Sequence, residues 1–333
     1  MKKNEKGDML EKTNIRNKMA QKEMHGRLGN QFFQYAAMKG ILKKIKSEEP
    51  ISLNFSKRVY VKQFKNDLTE FKINPYQEVD KMKPTFVQSV VLTYMKGSER
   101  IIKLFCGKKD KEKILYAYEK KMANLLTKFG IYFMRQGYYD FKSSKAKDKI
   151  FVGQFESAKY FDNVREELLE EFTPKQEKLE KNLEIYDAIE KSESVCVTIR
   201  RGDYLTEENK KEFYVCTPEY FNQAIEVIKQ KVEHPKFFIF SDDITWVKEN
   251  MNFPEDSIFE TGNDPVWEKL RMMYSCKHFI ISNSTFSWWA QYLSRNDKKV
   301  VVAPSKWRNK GLWNDIYQEN WTIIEIEKEG RKQ

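Results

Sequence analysis

Cysteine and histidine are the scarcest chemically versatile residues in this chain. The four cysteines, Cys106, Cys196, Cys216 and Cys276, lie far apart with no C-x-x-C pair, and the three histidines, His25, His234 and His278, are equally scattered. Zinc needs clustered thiolate or imidazole ligands, so no metal site is expected, and the cysteines read as reduced side chains in a cytoplasmic interior. Thirteen glycines and nine prolines in 333 residues are too few for collagen or low-complexity disorder. Long apolar runs are also missing. The best are Phe237–Phe240 and Phe279–Ile281, against the roughly 18–20 residues needed to cross a bilayer. The N-terminus is polar and mixed in charge, without the apolar core of a signal peptide. Residues 1–24 therefore read as a polar extension without fixed structure, and a cytoplasmic location is expected. No aspartate belongs to a D-x-D, so that paired-carboxylate clamp for a divalent cation is missing as well.

What is present is an ordinary globular composition with an uneven charge. Lysine and arginine number 60 against 49 acidic residues, a net of +11. Residues 1–150 hold 34 basic and 16 acidic side chains (+18), and the remainder holds 26 and 33 (−7), so the halves sum to +11. At roughly 100–200 residues per domain, two domains are expected. The basic excess peaks over Lys96–Lys121. A solvated helical face or loop is the preferred explanation. A patch facing anionic lipid at the inner face of a membrane is the alternative, because Phe86-Val87 and Val90-Val91-Leu92 lie just upstream. Nucleic acid is not an expected partner, because no binding motif accompanies the charge.

From residue 195 onward short apolar runs alternate with helix-period segments. Val195–Ile199, Phe237–Phe240, Ser257–Phe259, His278–Ile281 and Val300–Ala303 read as strands. Helices are expected from Pro218, over Ile244–Asn250, from Asp264-Pro265 to about Ser275, and over Thr285–Ser294. This alternation predicts an open parallel α/β sheet of Rossmann type. In the first half Asn30 is placed to cap a helix with Phe33, Ala36, Ala37 and Ile41 on one face. Pro50–Phe55, Ile131–Met134 and Ile150–Val152 are candidate strands, and Val164, Leu168 and Phe172 mark a helix; residues 60–130 are helical and charged.

Ligands of open parallel sheets bind outside the carboxyl ends of the strands. There the chain places Arg200-Arg201-Gly202-Asp203, Ser241-Asp242-Asp243 and Ser282-Asn283-Ser284-Thr285-Phe286. Arginines suit phosphate oxygens, and adjacent strand residues point oppositely, so one of Arg200 and Arg201 faces the ligand. Asp203 is either a ligand group or the partner of Arg201. Ser284 and Thr285 open a helix, a ready anion site. Asp242 and Asp243 either accept from a base or ribose or cap the following helix. Gly26-Arg27-Leu28-Gly29-Asn30-Gln31 is a glycine turn of spacing G-x-x-G, not the dinucleotide fingerprint. Trp288, Trp289 and Tyr292 read as core.

These strings together resemble glycosyltransferase family 11, the α-1,2-fucosyltransferases. His25–Ala36 is similar to its G-x-x-G-N-Q-x-F-Q-Y motif, and Thr198–Tyr204 to H-x-R-R-G-D-Y. Phe240–Asp243 and Ser282–Ala290 match two more motifs, and Gly153-Gln154-Phe155 with Lys159-Tyr160-Phe161 matches a weaker block. The resemblance runs from about residue 24 to 308. It implies a GT-B-like α/β fold, with two Rossmann-like domains (residues 25–175 on the acceptor side, 190–327 on the donor side) facing a central cleft. It further implies an inverting galactoside α-1,2-fucosyltransferase that takes L-fucose from GDP-β-L-fucose to the 2-hydroxyl of a galactose-terminated glycan, with no metal or cofactor required. On this resemblance Arg200 grips the pyrophosphate, and Ser284, Thr285 and Phe286 hold phosphate and ribose. Asp243 or Asp242 meets guanine, while Gly29, Asn30 and Gln31 approach the donor across the cleft; Thr198, Arg201 and Asn283 complete the donor set.

Two departures are visible. The motif histidine is Thr198 here, which cannot titrate near neutrality or stack. The glycine turn, expected to follow an apolar strand, follows the polar run Asn17–Met24, so any strand there is expected to be weak and at an edge, or replaced by the extension. The candidate base for the acceptor hydroxyl is Asp203, with Glu207 and Glu208 as alternatives. The rival readings are a GDP-fucose enzyme of another linkage and a basic, non-catalytic protein bound to membrane or nucleic acid. The acceptor sugar and oligomeric state are not legible.

Overall fold

The computed structural model describes residues 19–56, 65–106, 111–135, 137–309 and 315–326. The first half builds a parallel sheet from β1 (Ala20–Glu23), β2 (Ile51–Asn54), β3 (Gln77–Glu78), β4 (Ile131–Phe133) and β5 (Lys149–Val152), in the order β3-β2-β1-β5-β4. Helix α1 (Leu28–Lys44) links β1 to β2, and α2 (Phe86–Phe105) with α3 (Lys111–Lys128) forms a hairpin between β3 and β4. Helices α4 (Arg165–Glu171) and α5 (Leu183–Lys191) lead into the second half. There β6 (Glu193–Ile199), β7 (Pro235–Ser241), β8 (Ile258–Phe259), β9 (His278–Ile280), β10 (Val301–Pro304) and β11 (Thr322–Ile324) form a parallel sheet in the order β11-β10-β9-β6-β7-β8. Its helices are α6 (Glu207–Phe213), α7 (Pro218–Lys231), α8 (Ile244–Asn250), α9 (Val266–Ser275) and α10 (Thr285–Leu293).

The second sheet follows from its sequence because β6 is apolar on both faces, as a covered parallel strand must be. Val195, Val197 and Ile199 pack with Phe221, Ile225 and Ile228 of α7, while Cys196 joins Phe238 and Phe240 on the opposite face. The two sheets are not separate bodies. Phe32 and Phe33 of α1, Phe161, Phe172, and Trp288 and Trp289 of α10 share one aromatic core, with Phe32 stacked on Phe172 at 3.8 Å and Trp289 on Phe161 at 5.3 Å. The four cysteines are unpaired, and burial pushes the Cys216 thiol up to about 12.

One expectation fails here. Residues 20–23, assigned to the polar extension or an edge, form β1 at the centre of the first sheet, paired with β2 on one side and β5 on the other; residues 1–18 lie outside the described residues. The strand tolerates its polar sequence because its polar atoms are met. Gln21 Oε1 accepts from the Lys83 amide at 2.8 Å, and the Lys22 ammonium donates to the Glu23 carbonyl at 2.9 Å.

Lys22 still bears a cost. It is 1 % exposed, and burial lowers its ammonium from 10.5 to about 7. The unfolded chain keeps the higher value, so folding expels a proton between those pH values and stability climbs with pH across that window. Below about pH 7 the cost of burying the charge is fully present. Lys22→Met, of similar shape, is expected to stabilise the protein by on the order of 3 kcal/mol at pH 7, with the gain fading towards pH 10. Denaturant titrations of both proteins across this range measure the difference.

Candidate active site

The carboxyl ends of β1 and β5 in one sheet, and of β6, β7 and β9 in the other, open on one cavity of about 830 Å³. Both sheets thus contribute their switch points, where neighbouring connections leave in opposite directions.

On the second-sheet side, Arg200 leaves β6 with its guanidinium fixed by two carboxylates. Nη2 donates to Asp203 Oδ1, and Nη1 pairs with Asp242 Oδ2 at 2.7 Å. A guanidinium has five N–H donors in a planar fork, so this bracing leaves donors for a ligand. After the neighbouring strand β9, Ser284 precedes α10 with no cap bond from its hydroxyl. First-turn amides of a helix lack intrahelical partners and carry the positive end of its dipole. Arg200, Ser284, Thr285 and Phe286 all line the same cavity. Asn283 also lines it, and its side-chain amide donates to the carbonyls of Phe213 at 3.0 Å and Trp307 at 2.9 Å, which fixes the loop before α10.

On the first-sheet side, Gly26 turns the chain at φ +78°, a conformation suited to glycine. Helix α1 begins at Leu28, so Asn30 lies within its first turn instead of capping it. Thr285 donates to Asn30 Oδ1 at 2.7 Å, and Trp289 Nε1 to the Gly29 carbonyl at 2.9 Å. A Cβ on Gly29 would stand 2.6 Å from the Phe286 nitrogen. The N-termini of α1 and α10 therefore meet back to back, and only a glycine permits that approach.

Several expected site residues lie elsewhere. Arg201 stacks on Trp246 at 3.1 Å and pairs with Asp243 at 3.2 Å, outside the cavity lining. Asp243 also caps α8, so neither residue borders the cavity. Gln31 is fully buried and bonds the Gly26 and Lys65 carbonyls and Asp67; it shapes the turn and does not line the cavity. Asp242 does line it, but its oxygens are taken by Arg200 and by the Arg201 amide at 2.8 Å. Thr198 lines it too, while its hydroxyl accepts from the Ser282 amide at 3.2 Å and lies 3.4 Å from the Ile280 carbonyl, tying β6 to β9. Glu207 and Glu208 are exposed on α6 and do not line the cavity, which that helix borders through Asn209 and Phe213. Asp203 remains at the site, with its carboxylate between Arg200 and Arg27, the latter at 3.4 Å. Among the described residues, no three His, Cys, Asp or Glu side chains are grouped to hold a metal ion.

The sequence reading missed Arg27, Lys65, Glu156, Lys269 and Arg308, which also line the cavity. Glu156 is the most informative. It is 8 % exposed and follows Phe155, whose φ of +57° is unusual for a bulky side chain. That turn carries Glu156 from the end of β5 towards Tyr204, whose hydroxyl is held above its ordinary value chiefly by burial, with Glu156 adding to the rise. Its only sequence signal is its position directly after Gly153-Gln154-Phe155. Lys269 braces the other wall: its ammonium donates to the Ser241 carbonyl at 3.2 Å and pairs with buried Glu260 at 2.9 Å.

The family profile described as glycosyl transferase family 11 matches residues 19–325. The chain is 36 % identical over 182 residues to an alpha-1,2-colitosyltransferase of Escherichia coli, an alignment spanning 53 % of this chain and 62 % of that protein. It is 25 % identical over 321 residues to the O-antigen biosynthesis glycosyltransferase WbnK of Escherichia coli, spanning 90 % and 98 %. With the galactoside alpha-(1,2)-fucosyltransferase 1 of Homo sapiens it shares 26 % over 149 residues, 41 % of each chain. With two parallel α/β sheets facing one cleft and a profile match covering nearly its whole length, the chain belongs to glycosyl transferase family 11.

Proposed function

We propose that this protein transfers an L-fucosyl residue from GDP-β-L-fucose to the 2-hydroxyl of a terminal galactose, by a single displacement with inversion and without a metal ion. The observation that carries the reading is the placement of Arg200 and the α10 N-terminus around one cavity, with Glu156 on its first-sheet side. Departure of GDP adds negative charge on the diphosphate. Arg200 and the first-turn amides of α10 are fixed donors for that charge, held before the substrate arrives, which is the condition for electrostatic stabilisation of a transition state. Asp203 and Asp242 act through Arg200 as positioning residues. Glu156 is the proposed general base: as the bond to GDP breaks, its carboxylate takes the proton of the acceptor hydroxyl. The α-1,2 linkage is supported by the names of the two relatives that state one.

A second reading is supported by the 36 % identity to a colitosyltransferase: the donor sugar is the 3-deoxy analogue of fucose. One assay separates the two. GDP-fucose and GDP-colitose are each supplied with galactose-ended acceptors in the presence of EDTA, and the product linkage is read by NMR. The expected product is α-1,2-fucosylated galactose at an undiminished rate. A preference for GDP-colitose moves the donor assignment, an absolute need for manganese overturns the metal-free mechanism, and no transfer with either donor overturns the reading.

A further inference from the structure

We propose that α2 is a docking helix for an anionic lipid surface, its outer apolar arc entering the boundary between headgroups and acyl chains. The inference does not rest on the transferase reading. At about 100° per residue, Phe86, Val90, Tyr94, Ile101, Leu104 and Phe105 fall within one arc of about 100°. All six are exposed, Phe86 at 83 %, Leu104 at 80 % and Phe105 at 85 %. Gly97 lies in the same arc, where an added Cβ would meet nothing within 4 Å.

This exposure is not loose packing. The opposite arc of α2 is fully engaged: Met95 packs with Leu126, Ile131 and Phe133, and Gln88 donates to the carbonyls of Phe129 at 3.0 Å and Asp148 at 2.9 Å. The helix therefore has two apolar faces, and the core uses one.

The charge identifies the partner. Residues 86–129 contain ten lysines and arginines and four acidic residues. Two of those four, Glu99 and Glu119, are buried against Arg135 at 2.7 Å each. The hairpin thus turns these carboxylates inward and leaves Lys96, Arg100 and Lys103 exposed along one edge of the apolar arc. An apolar stripe flanked by exposed cations suits a surface that is apolar beneath and anionic above. A two-fold contact between copies of this chain sets patches of the same sign side by side, because such an interface uses the same surface twice. Among the described residues no helix is long and apolar enough to cross a membrane, so the contact is interfacial.

Co-sedimentation of the full chain with phosphatidylcholine vesicles, with and without 30 % phosphatidylglycerol, tests this. Binding is expected only when the anionic lipid is present, and to weaken as salt rises. Phe86→Asn with Phe105→Asn is expected to lower partitioning more than tenfold, and Lys96→Gln or Lys103→Gln about fivefold each. Melting curves with and without GDP establish that the variants fold; the lysine variants carry the test where the double variant does not. Absence of binding to anionic vesicles, or binding that none of these changes affects, overturns the proposal. So does a dimer formed without lipid that Phe105→Asn dissolves while vesicle binding is absent, which assigns the face to a second copy.

Discussion

Arg200→Lys is expected to lower kcat/KM for the donor by two to three orders of magnitude, about 3–4 kcal/mol. The substitution keeps the charge, so a large loss isolates geometry. In the native side chain Asp203 and Asp242 hold different nitrogens of one planar group, which fixes its plane at the end of β6. An ammonium on a flexible stem cannot meet both carboxylates and still present a planar fork to a diphosphate. The loss appears in two measurements: steady-state kinetics with GDP-fucose, and thermal protection by GDP. Native protein is expected to gain about 2.7 kcal/mol at a GDP concentration one hundred times its Kd; the variant keeps little of that gain at the same concentration. A variant with undiminished turnover and protection removes Arg200 from the charge-stabilising role.

The joint between α1 and α10 explains why the cavity has a defined shape before any ligand arrives. Helix N-termini repel one another electrostatically when brought together, because each presents the positive end of its dipole. Here the approach is held by the shared aromatic core beneath, by Trp289 bonding the Gly29 carbonyl, and by the Thr285–Asn30 contact above it. Two positive helix ends then line the same cavity as Arg200, the arrangement that the proposed anion site requires. The same packing that joins the sheets therefore supplies the field in which the proposed reaction takes place.

Sequence legibility divides along physical lines. The strands of the second sheet are readable because both faces of a covered parallel strand are apolar, as in Val195–Ile199. The central strand β1 is hidden because Gln21 is satisfied by Lys83, a partner 62 positions away that no local pattern announces. Strand alternation requires Arg200 and Arg201 to diverge, but which one faces the ligand is decided by Trp246 and Asp243 on another element. Asp203 carries the right motif position, yet its carboxylate is engaged by Arg200 and Arg27, a residue from the other half of the chain. Glu156 escapes for the opposite reason. The turn that aims it depends on a left-handed phenylalanine, and phenylalanine gives no turn signal.

Glu156→Gln is expected to reduce kcat by two to four orders of magnitude, the range that a positioned general base supplies, with the donor KM and GDP protection nearly unchanged. The substitution preserves size and one acceptor oxygen but removes the ability to take a proton. Glu156 follows β5 of the first sheet, whereas Arg200 follows β6 of the second and is the side chain assigned to the diphosphate, so the substitution leaves the proposed donor contact in place. Asp203→Asn provides the contrast. It loosens Arg200 and Arg27, so donor binding and turnover are expected to fall together. The two variants thus separate proton transfer from charge stabilisation by kinetic pattern and not by size of effect alone. If Glu156→Gln turns over normally while Asp203→Asn loses kcat with GDP protection intact, the base is Asp203 and the buried glutamate only shapes the cavity.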